Sequence, residues 1–210
     1  MIGDVMIRAG SDYGPFRHGG KPIGALIHDL EAPPEPGMAR GLVAWVDNEG
    51  LSPHTMSDPT AESVQVLTEM HAGAHAGPHA NESLVAFEMT GYASYTTDQW
   101  TEAKTFEAVK AAARSVARLW QVMGWDPNNV EWGSVQQLKD TYAAWAAGRP
   151  YIPRLWAHFD VSRAWPQDTT HTDPGKFFPY EEFRQLVKHY LGIGGGQPVE
   201  DFAFIWGAKE

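Results

Sequence analysis

The chain has 210 residues, of which 43% are apolar, and this is enough for one folded domain with a hydrophobic core. Its net charge of −10 argues against a nucleic-acid-binding protein, because such proteins need a basic surface for phosphates. There are no cysteines, so any metal site must use histidines and carboxylates, and disulfides are excluded.

The two ends of the chain differ in composition from the middle. Residues 1–21 are Gly-rich and polar and predict a loose N-terminal lead-in, without the basic and apolar segments of a secretory signal. Residues 193–210 predict a Gly-rich linker and a short tail. Since no apolar run approaches the ~20 residues of a membrane span, we expect no membrane insertion.

The middle of the chain predicts strands and helices in irregular alternation. Short apolar runs bounded by Pro, Gly or charge indicate strands, and apolar residues at helical steps indicate helices. The predicted strands are 22–29, 51–56, 63–67, 84–89 and 151–157, and the predicted helices are 36–46, 97–123, 134–148 and 179–192. This order predicts an α/β fold with a mixed sheet and helices on both faces. The Trp-rich helices are predicted to be core rather than a platform for sugar stacking.

Three histidines, His71, His75 and His79, recur at four-residue spacing in the segment 69–81. On a helix they would share one face, but the glycines and the proline between them disfavour a helix. We therefore predict a solvated loop, and a second metal site made by the three histidines is the alternative.

The stretch 156–175 is rich in groups that bind metals. It contains two histidines and several carboxylates: His158, His171, Asp160, Asp168 and Asp173. A further histidine, His28, lies at the end of the predicted strand 22–29. Two imidazoles and a carboxylate from separate segments could hold a zinc ion and leave its fourth position open for water. A histidine at a strand end is more often structural, so at this point both interpretations are open.

Six motifs then follow one another in a characteristic order. They are IGALIHD, SPH at 52–54, His-Ala-Gly (present twice), NESLVAFEMTG, AHFDVSR and HTDPGKFFPY. In this order they resemble the zinc-dependent N-acetylmuramoyl-L-alanine amidases of the type 2 family, to which phage lysozymes of the amidase kind and the peptidoglycan recognition proteins belong. The resemblance covers residues 22–190, and the ordered set is specific although no single motif is.

The resemblance implies a mixed central β-sheet flanked by helices. It also implies that His28, His158 and Asp173 are the ligands of a Zn²⁺ ion. Glu88 corresponds to the acidic residue beside the metal-bound water. The implied reaction is hydrolysis of the amide between N-acetylmuramic acid and L-alanine of peptidoglycan, with Glu88 as the catalytic acid and base.

Two positions depart from the family pattern. Many members carry a lysine two residues before the third ligand, where this chain has His171, which we expect to be catalytic by steadying the oxyanion. A loop histidine that faces water, or a histidine that competes with Asp173 as ligand, are the alternatives for His171. Some members carry a tyrosine after the Ser-x-His histidine, where this chain has Thr55. His54 itself is predicted to line the core or the cleft. Asp160 and Asp168 are predicted to order their loop.

The sequence therefore predicts an N-terminal lead-in at 1–21, a zinc amidase catalytic domain at 22–192, and a linker and tail at 193–210. We expect a monomeric phage endolysin that is made in the host cytoplasm and acts on the cell wall after release. The alternatives are a non-catalytic peptidoglycan-binding module and a cytoplasmic muropeptide-recycling amidase. Retention of all three ligand positions favours an enzyme over the binding module.

Overall fold

A six-stranded sheet organises the chain in the computed structural model, which describes residues 1–7, 12–17 and 21–193. Its strands are β1 (Val5–Met6), β2 (Gly24–Asp29), β3 (Thr55–Ser57), β4 (Ser63–Gln65), β5 (Val85–Met89) and β6 (Arg154–Ala157). Their order is β1-β4-β3-β5-β2-β6, with β3 and β4 antiparallel and the other pairs parallel. The prediction of a mixed α/β sheet is confirmed.

Helices cover the two faces of the sheet. They are α1 (Met38–Asn48), α2 (Pro78–Asn81), α3 (Thr97–Thr101), α4 (Ala103–Met123), α5 (Val135–Ala146), α6 (His158–Ala164) and α7 (Tyr180–Tyr190). Helices α4 and α7 share a hydrophobic cluster with one face of β2 and β5, and α5 and α6 share another cluster with the opposite face. Among the described residues, no helix has both the length and the apolar character to cross a bilayer.

The central strand β2 is buried along its whole length, because neighbouring strands and both helical layers cover it. Successive side chains point to opposite faces, so that Ile27 packs with α4 while Leu26 packs with α5 and α6. At the start of the strand, a Cβ on Gly24 would lie only 2.1 Å from the carbonyl oxygen of Arg154. Glycine at this position allows β2 and β6 to approach each other.

The prediction of a loose lead-in is wrong for the first residues. Strand β1 pairs in parallel with β4, and Ile2 is fully buried. Asp4 accepts hydrogen bonds from the backbone and hydroxyl of Ser63 and forms ion pairs with Arg114 and Arg118 of α4. Residues 1–7 therefore complete an edge of the sheet. The domain boundaries near residues 21 and 193 stay predictions, and the tail from residue 194 lies outside the described residues.

Two other predicted elements differ from the structure. The helix predicted for 97–123 is interrupted at Glu102, whose ψ of 135° separates α3 from α4, and its N-cap is Thr96 rather than residue 97 or 98. The stretch after β6 is predicted as a loop, but it begins with helix α6. The Asp160 carboxylate accepts a hydrogen bond from the Ala157 N–H at 3.1 Å and caps this helix.

Candidate metal and catalytic site

The sheet register places the first three candidate residues side by side. His28 lies opposite Glu88 in the β2–β5 pair, and Ile27 lies opposite Ala157 in the β2–β6 pair. His158, the next residue after Ala157, therefore leaves β6 at the level of His28. Parallel strands bring these groups together at the carboxyl-terminal end of the sheet, because the carboxyl ends of parallel strands coincide.

Asp173 reaches the same end of the sheet from the loop that follows α6. Its Oδ2 lies 3.3 Å from Nδ1 of His28, and its Oδ1 lies 3.0 Å from Nδ1 of His158. One candidate ligand atom from each of the three residues lies within 4.8 Å of the others, and all three side chains are buried. The peptide bond between Asp173 and Pro174 is cis. The three predicted ligands thus come together in a group that could bind a metal ion.

Polar atoms in this group lack other partners. His28 Nε2, His158 Nδ1 and Asp173 Oδ2 are buried without a hydrogen bond to any described residue. Leaving a buried polar atom unpaired costs about 1–3 kcal/mol, so such atoms are rare unless a bound species satisfies them. A donor set of two imidazole nitrogens and one carboxylate suits zinc, and the residues present therefore fit the metal that the sequence predicts.

The ionisation of the three groups also suits metal binding. Burial, reinforced by the charge of His158, lowers the pKa of His28 to about 4. Burial alone would raise the pKa of Asp173, but the adjacent imidazoles of His158, His171 and His28 together hold it well below its usual value. At neutral pH the site therefore offers a neutral imidazole and a carboxylate, which are the forms that coordinate metals.

Two further carboxyl groups face the site. Glu88 Oε1 lies 3.8 Å from His28 Nδ1, and burial, followed by repulsion from Asp173 and Asp29, raises the pKa of Glu88 well above its ordinary value. Burial and the charge of Asp173 raise the pKa of Asp29, which the sequence motifs do not single out, to about 8. A divalent cation beside them would favour the charged carboxylates and lower both pKa values.

His171 lies at the rim of the site. Its ring stacks on that of His158 at a centroid distance of 4.6 Å, and its Nδ1 lies 3.5 Å from Asp173 Oδ1. The side chain is 69% exposed. Its hydrogen bond to Asp173 raises the pKa of His171, although partial burial acts in the opposite direction. A substrate that enters from solvent would therefore meet this imidazole beside the metal group.

The three histidines of the segment 69–81 separate rather than form a second metal group within the described residues. His71 Nδ1 lies 2.8 Å from Asp12, and His79 Nδ1 lies 2.6 Å from Asp168. His75 lies inside the metal cavity, with both ring nitrogens buried and without a hydrogen bond to any described residue. The prediction of a solvated loop is therefore wrong for His75, and also for His79, which lies in helix α2. The second His-Ala-Gly copy is the one beside the site.

His54 is a core residue with a defined tautomer. Its Nδ1 accepts a hydrogen bond from the Ala86 N–H at 2.9 Å, so the proton resides on Nε2, which donates to the His71 carbonyl oxygen at 2.7 Å. Its ring is fully buried. His54 therefore lies in the core, which is consistent with the predicted preference for core or cleft lining.

The metal group opens into a cavity of about 300 Å³. Four of its apolar lining residues, which we call the apolar wall, are Leu30, Trp45, Leu51 and Pro53. Trp45 is 48% exposed, so the prediction that the helical tryptophans are core is wrong for this one, whereas Trp100, Trp120 and Trp145 are buried as predicted. The cavity therefore has an apolar flank next to its charged centre.

Several polar contacts hold the loop between His158 and Asp173. Thr169 Oγ1 lies 3.0 Å from His158 Nε2, and this contact leaves Nδ1 as the nitrogen that faces Asp173. The Ser162 hydroxyl donates to the His171 carbonyl oxygen, and the Asp168 carboxylate accepts from the His79 backbone N–H. The prediction that Asp168 orders the loop is consistent with this contact, whereas Thr169 is a residue that the motifs do not reveal.

Comparison with solved structures places this architecture among known folds. The chain is similar to the Staphylococcus aureus hydrolase AmiA, solved in complex with its ligand, with a TM-score of 0.62 at 16% identity over 89% of this chain and 82% of that chain. It is also similar to the N-acetylmuramoyl-L-alanine amidase LysC from Clostridium intestinale, with a TM-score of 0.51 at 14% identity over 90% and 98% of the two chains. A mutant endolysin from Bacillus subtilis gives a TM-score of 0.52 at 14% identity over 87% and 97%.

At the level of sequence, no protein-family model matches the chain, and no curated protein matches it significantly. The structural likeness therefore concerns the fold. The chain has an α/β fold that it shares with solved hydrolases, and among these are an N-acetylmuramoyl-L-alanine amidase and an endolysin.

Proposed function

We propose that this protein is a zinc-dependent N-acetylmuramoyl-L-alanine amidase that hydrolyses the amide between N-acetylmuramic acid and L-alanine of peptidoglycan. The observation that carries the proposal is the buried group of His28, His158 and Asp173 beside Glu88 in one cavity. The shared fold with a solved amidase supports the same assignment. We propose that the catalytic domain comprises residues 22–192 together with strand β1, which completes its sheet.

The residues of the chain divide the chemistry between them. His28, His158 and Asp173 hold the Zn²⁺ ion. When bound, this ion supplies a Lewis acid that activates water and polarises the scissile carbonyl. Glu88 accepts the proton of the attacking water and passes it to the leaving amine, because it faces the same cavity and a divalent cation there would keep its carboxylate ionised.

We assign His171 the role of oxyanion donor. Its ring lies at the cavity rim, and its Nδ1 is oriented by the Asp173 carboxylate, so Nε2 is the nitrogen left to meet a substrate. A hydrogen bond from His171 to the carbonyl oxygen strengthens as negative charge develops there. Such a contact contributes about 3 kcal/mol in comparable sites.

The decisive test combines metal analysis with product release. The purified protein should contain zinc, release amines from purified peptidoglycan, lose this activity with a chelator and regain it with added zinc. Glu88→Gln should retain zinc and lose activity by about 100-fold or more, since general acid–base catalysis contributes 10²–10⁴-fold. Glu62→Gln is the matched control, because Glu62 is exposed and pairs with Arg40 away from the cavity.

Two results would contradict the proposal in different ways. If Glu88→Gln retained most activity with zinc bound, the role of Glu88 would be wrong while the amidase assignment would stand. If zinc-loaded wild type bound peptidoglycan without releasing amines, the protein would be the non-catalytic binding module.

The cellular role has two candidates. We propose a phage endolysin that acts as a monomer on the cell wall. The net charge of −10 favours the second candidate, a cytoplasmic amidase that recycles soluble muropeptides, because an acidic protein approaches an anionic wall less readily. Comparing lysis of whole sacculi with cleavage of small anhydro-muropeptides distinguishes the two roles.

A further inference from the structure

A second cavity borders His171. It has a volume of about 620 Å³, and His171 lines both this cavity and the metal cavity. Its other lining residues are Ala93, Phe159, Ser162, Arg163, Thr170, Thr172, Gly175 and Lys176. Because the two cavities share one side chain, a substrate that crosses His171 would have one part in each.

This second cavity, which we call the cationic groove, has two exposed cations among its lining residues, Arg163 and Lys176. Arg163 lies over the Phe159 ring at 5.3 Å, and Lys176 Nζ lies over the Phe177 ring at 4.6 Å. Neither forms an ion pair with any residue in the described ranges. Stacking on an aromatic ring supports a cation and leaves its hydrogen-bond donors available.

The acidic groups around the groove are already engaged. The charge of the Asp160 carboxylate interacts with that of Arg163. The hydrogen bond that this carboxylate accepts comes from the Ala157 N–H at the start of α6. Glu31 acts on His171 and accepts a hydrogen bond from the Ala93 N–H. In a chain of net charge −10, two cations without ion-pair partners beside a metal group form a place where an anion binds favourably.

The two cavities differ in a way that assigns the two sides of the scissile amide. The metal cavity has the apolar wall that includes Trp45 and Leu51, which offers no partner for a carboxylate. The cationic groove offers a guanidinium, which binds carboxylates through two parallel hydrogen bonds, and an ammonium. A peptide whose side chains or terminus carry free carboxylates therefore fits the groove and not the apolar wall.

We propose that the cationic groove binds carboxylate groups of the peptide on the leaving-amine side of the scissile bond. Arg163 and Lys176 are then the specificity-determining residues that favour a free acidic peptide over an amidated one. This inference rests on the proposed amidase function, since that function supplies the scissile amide at His171.

The test uses the zinc-loaded full chain and two substrates. One is a muramoyl peptide with free carboxylates in its stem, and the other is the same peptide with those carboxylates amidated. The double variant Arg163→Gln, Lys176→Gln should raise KM for the first about fivefold to tenfold, since two exposed charge contacts are lost. On the amidated peptide its KM should stay within about twofold of the wild-type value, and added salt should reduce the difference between the substrates.

The matched control is Lys139→Gln, Arg149→Gln, which removes the same charge from two exposed residues that line neither cavity. An equal rise of KM in this control, or an equal rise on both substrates, would overturn the groove as a carboxylate site.

Binding of the free acidic peptide, measured by calorimetry, separates this inference from the proposed amidase function. If wild type binds that peptide and the double variant does not, but neither cleaves an amide, the groove stands and the amidase proposal fails. If wild type cleaves and the double variant is unchanged, the groove proposal fails alone.

Discussion

Replacement of Thr169 by valine tests how the loop after α6 prepares His158 for a metal. Thr169 Oγ1 lies 3.0 Å from His158 Nε2, and Nδ1 faces Asp173. A metal ion bound at Nδ1 would leave the ring proton on Nε2, where the Thr169 hydroxyl can accept it. Valine has nearly the same shape but cannot accept this proton. We expect Thr169→Val to weaken zinc binding because the imidazole loses its fixed tautomer and orientation.

The size of the effect follows from the position of the contact. Loss of a hydrogen-bond partner behind a metal ligand typically costs 10–100-fold in metal affinity. Thr169 is only partly buried, so water can replace part of the lost contact. We therefore expect the lower end, about a tenfold weaker affinity, which corresponds to ~1.4 kcal/mol.

The assay is a competition titration with a chromogenic chelator at fixed pH. Thr169→Ser keeps the hydroxyl and should retain the wild-type affinity, and Thr170→Val makes the same change at the exposed neighbouring position. The reasoning is refuted if Thr169→Val binds zinc as tightly as wild type, or if Thr169→Ser is as weak as Thr169→Val.

Three other changes test the site and the fold. His171→Ala should lower kcat by about 100-fold, and His171→Lys should recover much of the lost rate, because an imidazole or an ammonium can each donate a hydrogen bond to the oxyanion. Equal rates for wild type and the two variants would show that His171 has no catalytic role. Gly24→Ala should destabilise the fold by roughly 3 kcal/mol in denaturant unfolding, because its Cβ would lie 2.1 Å from the Arg154 oxygen, whereas Gly41→Ala in open space on α1 should be neutral or stabilising. Burial alone would raise the pKa of Asp4, but hydrogen bonds and nearby arginines lower it; its ionised form therefore stabilises the fold above pH ~4, and this contribution is lost as the pH falls. Asp4→Asn should thus cost about 1 kcal/mol at pH 6 and much less at pH 3, and an equal cost at both pH values would contradict this.

The sequence predicts the strand-borne part of the site well. His28 and Glu88 end apolar runs whose length and composition mark buried strands, and parallel pairing then brings their carboxyl ends together. His158 follows from the same rule, since it comes directly after β6. These positions depend on local pattern and one pairing rule, which is why the sequence contains enough information to place them.

The loop-borne part is less predictable, for physical reasons. The choice between His71 and His75 depends on the path of a segment with two glycines, and either copy satisfies the same motif. The contact of Thr169 with His158 depends on how the loop folds back, which periodicity does not encode. The break at Glu102 escapes detection as well, because the apolar stripe of the two helices runs through it with Trp100 and Phe106 both buried.

Different parts of this site are built with different rigidity. His28 and Glu88 are held by a fully paired central sheet, whereas Asp173 and His171 belong to a loop held by single hydrogen bonds, such as that from Phe159 N–H to the Asp173 carbonyl oxygen. The same loop separates the metal cavity from the cationic groove through His171. A change in this loop can therefore alter substrate preference without disturbing the sheet, whereas a change at the strand ends affects the fold and the metal group together. For this reason the proposed specificity residues lie on α6 and after Asp173, at Arg163 and Lys176, rather than on the sheet.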